Sequence, residues 1–436
     1  MNTSHTSENT IQRPDPRTQA QGHAGPRMNL GILLVVVLLV CYGLLILFSA
    51  SMTEGYASGG DPTFYVVKQA VITLAGVVVM IVLSRMNIRL FDRPFFFIVM
   101  YLVITLLLVL LHFSIPGVTI TMNGATRWLE LPGIPRFQPS ELAKIGLVFC
   151  FAGYTSWVRR RKASRNSNMK NQRQVAGKRF FTDGMMEFVV PSFAIGVWLL
   201  LIVTQPHLSC AIILSGLAAC CYFAAGFNWR VWFAGFLILM ILILVVVIAF
   251  AFIVMPLMPA DYLDQYDYWG RRINIFTNSE DASQDDLHQS EQSKIAIGSG
   301  GLTGVGLGQG RQKFNYLPEE FNDYVFAILA EELGLAGSMS VIVLFTALLL
   351  MGTAAAMKTS GPFPTIIIFG YTSLIAMQAF LNIGVAAGVL PPTGISLPLF
   401  SYGGTSNLFF LLGIGLLLGA SRSGGAHPQT RRPSHA

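Results

Sequence analysis

The sequence predicts an all-α polytopic membrane protein. About ten transmembrane helices are expected, with a large external loop between spans 7 and 8 and a re-entrant segment before span 10. Three observations point there. The 436 residues are 53% hydrophobic and only 12% charged, with a mean hydropathy of +0.58. Several runs of 18 or more nearly uncharged apolar residues occur, and about 20 helical residues cross the hydrocarbon core of a bilayer. The net charge of +7 resides mostly in short segments between those runs. There an excess of Lys and Arg sets topology, so no nucleic-acid partner is expected.

Residues 1–28 read as a disordered tail, 29–421 as one membrane domain and 422–436 as a second tail. Span 1 (30–50) is too long for a signal-peptide core and lacks a following small-residue cleavage site. Further spans are placed at 65–84, 94–113, 141–157, 186–204, 208–226, 231–256, 323–352, 363–383 and 405–421. Cys41, Cys150, Cys210, Cys220 and Cys221 all fall in apolar runs without metal-ligand spacing, and read as small hydrophobes.

Twenty of the 29 Lys and Arg residues fall on the side of the two tails, which makes both termini cytoplasmic. The strongest element is "RRRKASRNSNMKNQRQVAGKRF" in the basic cytoplasmic loop 157–185, which could also touch anionic lipid heads. Most acids fall on the other side. Five of the 22 lie in "NSEDASQDDLHQSEQ" (278–292), within the external loop 258–322. A loop of that length is functional or disordered. This one runs from polar to Gly-rich to aromatic, which favours function.

Four external stretches carry chemistry. In "NGATRWLELPGIPRFQPSELAK" (123–144), Arg127 and Trp128 lie at the membrane interface. Glu141 and Lys144 share one helix face and can pair. A belt of Trp and Arg with Ser140 as a helix cap would explain some of these residues. Lys144, however, falls just inside a span, where charge is costly. The glycines from 298 to 310 lack a Gly-Lys-Ser/Thr ending, so they suit a tight loop folded against the membrane better than a phosphate loop. Glu331 and Glu332 lie about two turns into span 8 and need partners, for which Arg or Lys residues of the outer side are the candidates. "NIGVAAGVLPPTGISLPLFSYGGTS" (382–406) cannot form one straight helix. Irregular backbone at membrane depth must be buried in protein or line a cavity, so this segment reads as re-entrant. Together the four stretches suit an outward-facing site for a lipid-linked pyrophosphate sugar, with Arg127 and Lys144 facing the phosphates and a carboxylate taking a proton from an attacking hydroxyl.

The stretches "NGATRW", "QPSELAK", "YLPEEFNDYVFAILAEELGLAG" and "LPPTGISLPLFSYGGTS" resemble the SEDS family of peptidoglycan glycosyltransferases. The resemblance implies a ten-span fold that polymerises lipid II on the outer face of the cytoplasmic membrane. The acceptor's GlcNAc 4-hydroxyl attacks C1 of the donor MurNAc, undecaprenyl pyrophosphate leaves, and a β-1,4 link forms with inversion. It implies a divalent cation, Mg²⁺ or Mn²⁺, to assist the pyrophosphate leaving group, and no organic cofactor. The implied partners are a single-span class B penicillin-binding protein, which is a transpeptidase, and other division proteins. Asn322 before Asp323 resembles the division branch more than the elongation branch, so septal wall synthesis is expected, with an elongation-type polymerase as the alternative.

By the same resemblance Arg127, Glu141 and Lys144 match family site residues, and Trp128, Gln138, Glu331, Ser401, Tyr402 and Gly403 complete the substrate-binding set. The family's essential Asp lies in an Asn-Pro-x-x-Asp-Pro pattern after span 7, which here reads "FTNSEDASQDDLHQSEQS". Gapless counting back from Gln292 reaches Ala282. A one-residue slip assigns Asp281 as the catalytic residue, with Asp285 and Asp286 as alternatives. "QPHLSC" also departs from the family pattern, because His207 stands where an acid is usual. Two rival classes remain. A lipid II flippase should carry charge through the whole membrane depth, and a non-catalytic division scaffold would tolerate the decayed Asp pattern.

Overall fold

A computed structural model describes residues 28–113, 115–122, 125–131, 134–167, 184–205, 207–226, 284–314, 316–317, 321–392 and 394–424. The described helices are α1 (Leu30–Gly59), α2 (Phe64–Arg85), α3 (Pro94–Leu110), α4 (Pro139–Ser167), α5 (Val190–Val203), α6 (Leu208–Ala225), α7 (Gln284–Ser299), α8 (Val325–Met357), α9 (Pro362–Ala386) and α10 (Gly404–Gly424). Seven described segments are long and apolar enough to cross a membrane, and the protein is a polytopic helical membrane protein as expected. The span expected at 231–256 lies outside the described residues.

Local sequence explains the helix starts. Asn29 caps α1 by accepting the Ile32 N–H at 3.3 Å. Proline occupies the first turn of α3, α5 and α9, where its missing N–H costs nothing. Between α1 and α2, the hydroxyl and N–H of Thr63 both donate to Asp61 and hold its carboxyl below the usual range.

The core sits between helices. Trp198, Phe345, Phe363, Tyr371 and Phe400 are fully buried, while many Leu, Val and Phe side chains of α1 to α3 are exposed. Such an apolar exterior suits lipid. α2 packs along α10, α9 lies between α8 and α10, and α4 touches α3, α6 and α9.

The structure differs from the sequence reading in three places. A small antiparallel sheet joins α3 to α4, ordered β1 (Thr119–Met122), β2 (Ala125–Leu131) and β3 (Ile134–Phe137), so the fold is not purely helical. Its Leu129 and Phe137 are buried against Leu111, which lets so short a sheet rest on the bundle. Span 4 does not stop at 157, because α4 runs on to Ser167 and takes up the first part of the expected basic loop. Four consecutive basic residues from Arg159 are good helix formers, and ion pairs to Asp92 and Glu187 hold the extension. The expected loop 258–322 contains α7, sixteen residues with polar and charged side chains toward its start.

Helices α1 and α5 end, and α8 and α10 begin, on the side of the sheet. Helices α2, α4 and α6 end on the opposite side, where Arg422 donates to the Arg85 carbonyl and Arg159 to that of Ala225. These are called the sheet side and the basic side below.

Candidate functional site

Polar side chains converge at the sheet-side start of α4. Strand β3 runs through Gln138 into Pro139, so the first turn of α4 is delivered directly by the sheet. Glu141 and Lys144 lie three residues apart and form an ion pair at 2.7 Å, with side chains 11% and 2% exposed. The Lys144 ammonium also donates to Gln378 Oε1 of α9 at 2.7 Å and stands 5.9 Å from the Phe410 ring centre on α10. One buried lysine therefore links α4, α9 and α10. Gln378 in turn donates to the Ser396 carbonyl at 3.2 Å, which carries the network into the segment before α10.

Two further groups stand above this pair. His207, at the cap of α6, places Nδ1 3.3 Å from Ser140 Oγ and 3.5 Å from Gln138 Nε2. Arg127 on β2 donates through Nε to the Gln205 carbonyl at 3.2 Å, and Gln205 donates to the Leu108 carbonyl at 3.0 Å. The sheet, the α5–α6 turn and α4 are thereby held together by hydrogen bonds rather than by apolar packing alone. By contrast the Arg136–Glu130 pair at 3.3 Å is 61% and 48% exposed, and such pairs contribute little.

A second buried polar centre holds the glycine-rich segment after α7. Helix α8 is broken at Gly334, whose φ of 63° is left-handed. The break leaves backbone groups of α8 without helical partners. The glycine-rich segment takes them up: Val305 and Gly306 donate to the Glu331 and Glu332 carbonyls at 3.0 Å, and Leu335 and Ala336 donate to the Gly301 and Leu302 carbonyls at 2.9 and 3.1 Å. A Cβ on Gly304 would come within 2.1 Å of the Glu332 carbonyl oxygen, so this approach requires glycine.

Side chains complete the clamp. Glu331 accepts the Arg311 N–H at 2.8 Å and the Gln312 N–H at 3.2 Å. Glu332 receives the Lys313 ammonium at 2.8 Å and the Ser49 hydroxyl of α1 at 2.6 Å, with both charged side chains 0% exposed. Helix α7 is fixed at its other face, where Ser293 Oγ donates to the Ala386 carbonyl of α9 at 2.7 Å.

The segment between α9 and α10 is irregular, its part from Ile395 to Ser401 is largely buried, and Leu399 adopts a φ of 68°. Ser401 Oγ accepts the Leu397 N–H at 2.8 Å and donates to the Asn322 carbonyl. Asn407 Oδ1 accepts the Leu399 N–H at 3.1 Å, and Asn382 donates to the Ile395 carbonyl at 2.6 Å. The backbone groups that a re-entrant segment would otherwise expose are met in this way. The Tyr402 ring packs against Tyr65 and Phe321, and Gly403 sits at the entrance to α10 with its carbonyl accepting the Ser406 N–H.

The expected site residues thus fall into two groups. Arg127, Gln138, Glu141 and Lys144 come together around the start of α4. Trp128 lies beside them on β2, paired with Ile120. Glu331, Ser401, Tyr402 and Gly403 belong to the scaffold of the two irregular segments. Lys144, expected to face the donor phosphates, is buried, and its ammonium is held by the Glu141 and Gln378 oxygens, as a charge at that depth requires. Asp281 lies outside the described residues. Asp285 and Asp286 fall on the first turn of α7.

Gln205, His207, Gln378 and Ser49 were not singled out as site residues from sequence. Gln378 had a usable signal, as one of two amide side chains, with Asn382, in the mostly apolar span 9. Ser49 had none, because a serine in a membrane helix commonly bonds its own backbone.

Among the described residues no group of three or more His, Cys, Asp or Glu side chains could hold a metal ion. Glu141 is held by Lys144. The acids of 278–283 lie outside the described residues, and the mechanism below routes no step through a cation.

Comparison with known proteins agrees with this architecture. The family model described as a cell cycle protein, covering FtsW, RodA and SpoVE, matches residues 29–424. A probable peptidoglycan glycosyltransferase FtsW of Geobacter metallireducens is 34% identical over 91% of this chain and 95% of its own length. One from Thioalkalivibrio sulfidiphilus is 33% identical over 94% and 93%. Among solved structures, a chain from work on a peptidoglycan synthase complex that coordinates polymerization and crosslinking aligns with a TM-score of 0.62. It is 24% identical and covers 91% of this chain and 98% of that one. The rod shape determining protein RodA of Thermus thermophilus aligns with a TM-score of 0.56 at 24% identity, over 92% and 98% of the two chains. At those identities the likeness shows the fold.

Proposed function

This chain belongs to the FtsW/RodA/SpoVE family, and from that premise we propose that it is a peptidoglycan glycosyltransferase polymerising lipid II for septal wall synthesis at the outer face of the cytoplasmic membrane. The observation that carries the reading is the polar cluster at the start of α4. A buried Glu141–Lys144–Gln378 bracket lies beneath Arg127 and His207, in a membrane where each such group is costly unless it is used.

In this mechanism Arg127 offers positive charge to the pyrophosphate of the donor. The bracket fixes α4 against α9, so that the sheet and the α5–α6 turn hold their places. The carboxylate of Asp281 takes the proton of the acceptor's GlcNAc 4-hydroxyl as that oxygen bonds to C1 of the donor MurNAc. The bond from C1 to the pyrophosphate oxygen breaks, and its electron pair leaves with undecaprenyl pyrophosphate. The clamp at Glu331 and Glu332 holds the segment that follows α7, and Asp281 lies three residues before the first residue of that helix in sequence.

Charge placement supports an enzyme over a flippase. Among the described residues the buried charged side chains Glu141, Lys144, Glu187 and Lys313 lie near helix ends or in connecting segments, while Glu331 and Glu332, two turns into α8, are taken up by the clamp. A path across the membrane would need them at mid-depth. The neighbouring synthase complex supports assembly with a partner. A class B penicillin-binding transpeptidase, together with other division proteins, is the partner proposed here. Purified protein incubated with fluorescent lipid II, with and without that transpeptidase, is expected to give a ladder of glycan chains on a gel. The absence of a ladder under both conditions would contradict the proposal.

Two predictions arise here. An impermeant thiol reagent on intact protoplasts is expected to label a cysteine placed at Ser290 but not one at Ser167. The reverse pattern would invert the topology and remove the outer-face reading. Glu141→Gln leaves Lys144 charged and buried, and is expected to cost about 3 kcal/mol of stability, at the low end for a broken buried pair. The double variant Glu141→Gln/Lys144→Met should recover much of that stability in thermal unfolding yet stay defective in polymerisation. Recovery of both would reduce the pair to a structural role.

A further inference from the structure

A second feature lies further along α4, toward the basic side of the molecule. Helices α3, α4 and α5 form an open groove of about 190 Å³, lined by Phe97, Tyr101, Phe151, Tyr154, Ala194 and Trp198 among others. Its polar groups are consumed internally: the Tyr101 hydroxyl donates to the Ala194 carbonyl at 3.0 Å, that of Tyr154 to the Met186 carbonyl at 2.7 Å, and the Trp198 indole to Thr105 at 2.8 Å. The groove therefore presents only hydrocarbon. Its rim residues Ile98, Leu102 and Val190 are exposed, so it opens toward lipid.

The groove is short. Along α5 its lining runs from Val190 to Trp198, about 12 Å at 1.5 Å per residue. That is less than half of the roughly 30 Å hydrocarbon core, too short to seat a helix that crosses the bilayer and close to the depth of one leaflet. On the basic side it ends among charges. The Tyr154 ring meets Trp157 at 5.9 Å, and the exposed Arg161 guanidinium lies 4.0 Å over the Trp157 ring. The neighbouring charges tie the groove's walls together. Arg160 binds Asp92 at 2.7 Å just before α3, and Lys162 binds Glu187 at 3.1 Å just before α5.

We propose that this groove and the basic end of α4 form a binding site for an anionic glycerophospholipid, with an acyl chain against Tyr101, Phe151 and Ala194 and the headgroup phosphate at Arg161. The occupant follows from depth and charge. An apolar slot one leaflet deep fits an acyl chain, and a cation at the interface end fits a phosphate carrying net negative charge. Arg160 and Lys162 are matched by Asp92 and Glu187, which leaves Arg161 to favour an anionic headgroup over a zwitterionic one.

Native mass spectrometry of the full-length protein with equimolar dioleoyl phosphatidylglycerol and phosphatidylcholine tests this. The wild type should retain phosphatidylglycerol in preference. Arg161→Gln, an exposed change that leaves the fold intact, should lower that preference about fivefold, the scale of one interfacial arginine. Ala194→Phe fills the slot and should cut retention of both lipids. Equal retention of the two lipids by wild type would overturn the proposal, and so would an unchanged preference in Arg161→Gln.

Discussion

Lys313→Met is expected to lose about 3–5 kcal/mol of stability, the usual cost of breaking a fully buried ion pair from one side. The mechanism lies in what remains. Glu332 keeps the Ser49 hydroxyl at 2.6 Å and the Gly310 N–H at 3.3 Å, but its charge loses its counter-ion in a site 0% exposed. The double variant Lys313→Met/Glu332→Gln removes the charge together with its partner and should recover most of the loss, because an amide can still accept those two hydrogen bonds. Thermal unfolding in one detergent would read both. A loss below about 1 kcal/mol in the single variant would mean that water reaches the pair. Because this pair anchors the segment that follows α7 to α1 and α8, the single variant should also polymerise poorly at temperatures where it remains folded.

Asp281→Asn is expected to slow polymerisation by about 10²- to 10⁴-fold, the typical contribution of a general base. The substitution keeps the shape of the side chain and removes its ability to take a proton, so folding and partner binding should persist. The neighbouring acids have a plain explanation, since charge keeps a long loop solvated. Asp285→Asn and Asp286→Asn should therefore retain most activity. A dead Asp285→Asn or Asp286→Asn beside an active Asp281→Asn would move the base onto the first turn of α7. Three active variants would remove the loop carboxylates from the chemistry.

Hydropathy made most of the helices legible, because the length of an apolar run is set by bilayer thickness. Spans 2 and 9 end within a few residues of their expected bounds at Arg85 and Ala386. Ends governed by charge were less legible. Helix α4 outruns the membrane because Arg160 and Lys162 find Asp92 and Glu187, partners far away in sequence. The sheet escaped notice because its short strands are interrupted by turns and rest on only a few buried residues. At the site, the spacing of Glu141 and Lys144 on one helix face announced their pairing. Nothing local announced that Gln378, 234 residues away, would complete the bracket that holds the ammonium. Similarly, Glu331 and Glu332 were legible as carboxylates in need of partners. That one would take backbone N–H groups and the other Lys313 depended on the break at Gly334.

The central claim is that this chain makes glycosidic bonds rather than moving lipid II. The most direct measurement follows undecaprenyl pyrophosphate released by proteoliposomes carrying the protein, its transpeptidase partner and lipid II. In parallel, muramidase digestion of the product counts the glycosidic bonds formed. One pyrophosphate lipid released per bond, with both signals lost in Asp281→Asn, is the expected result. Lipid II crossing the bilayer with neither pyrophosphate release nor a muramidase-sensitive product would contradict the account.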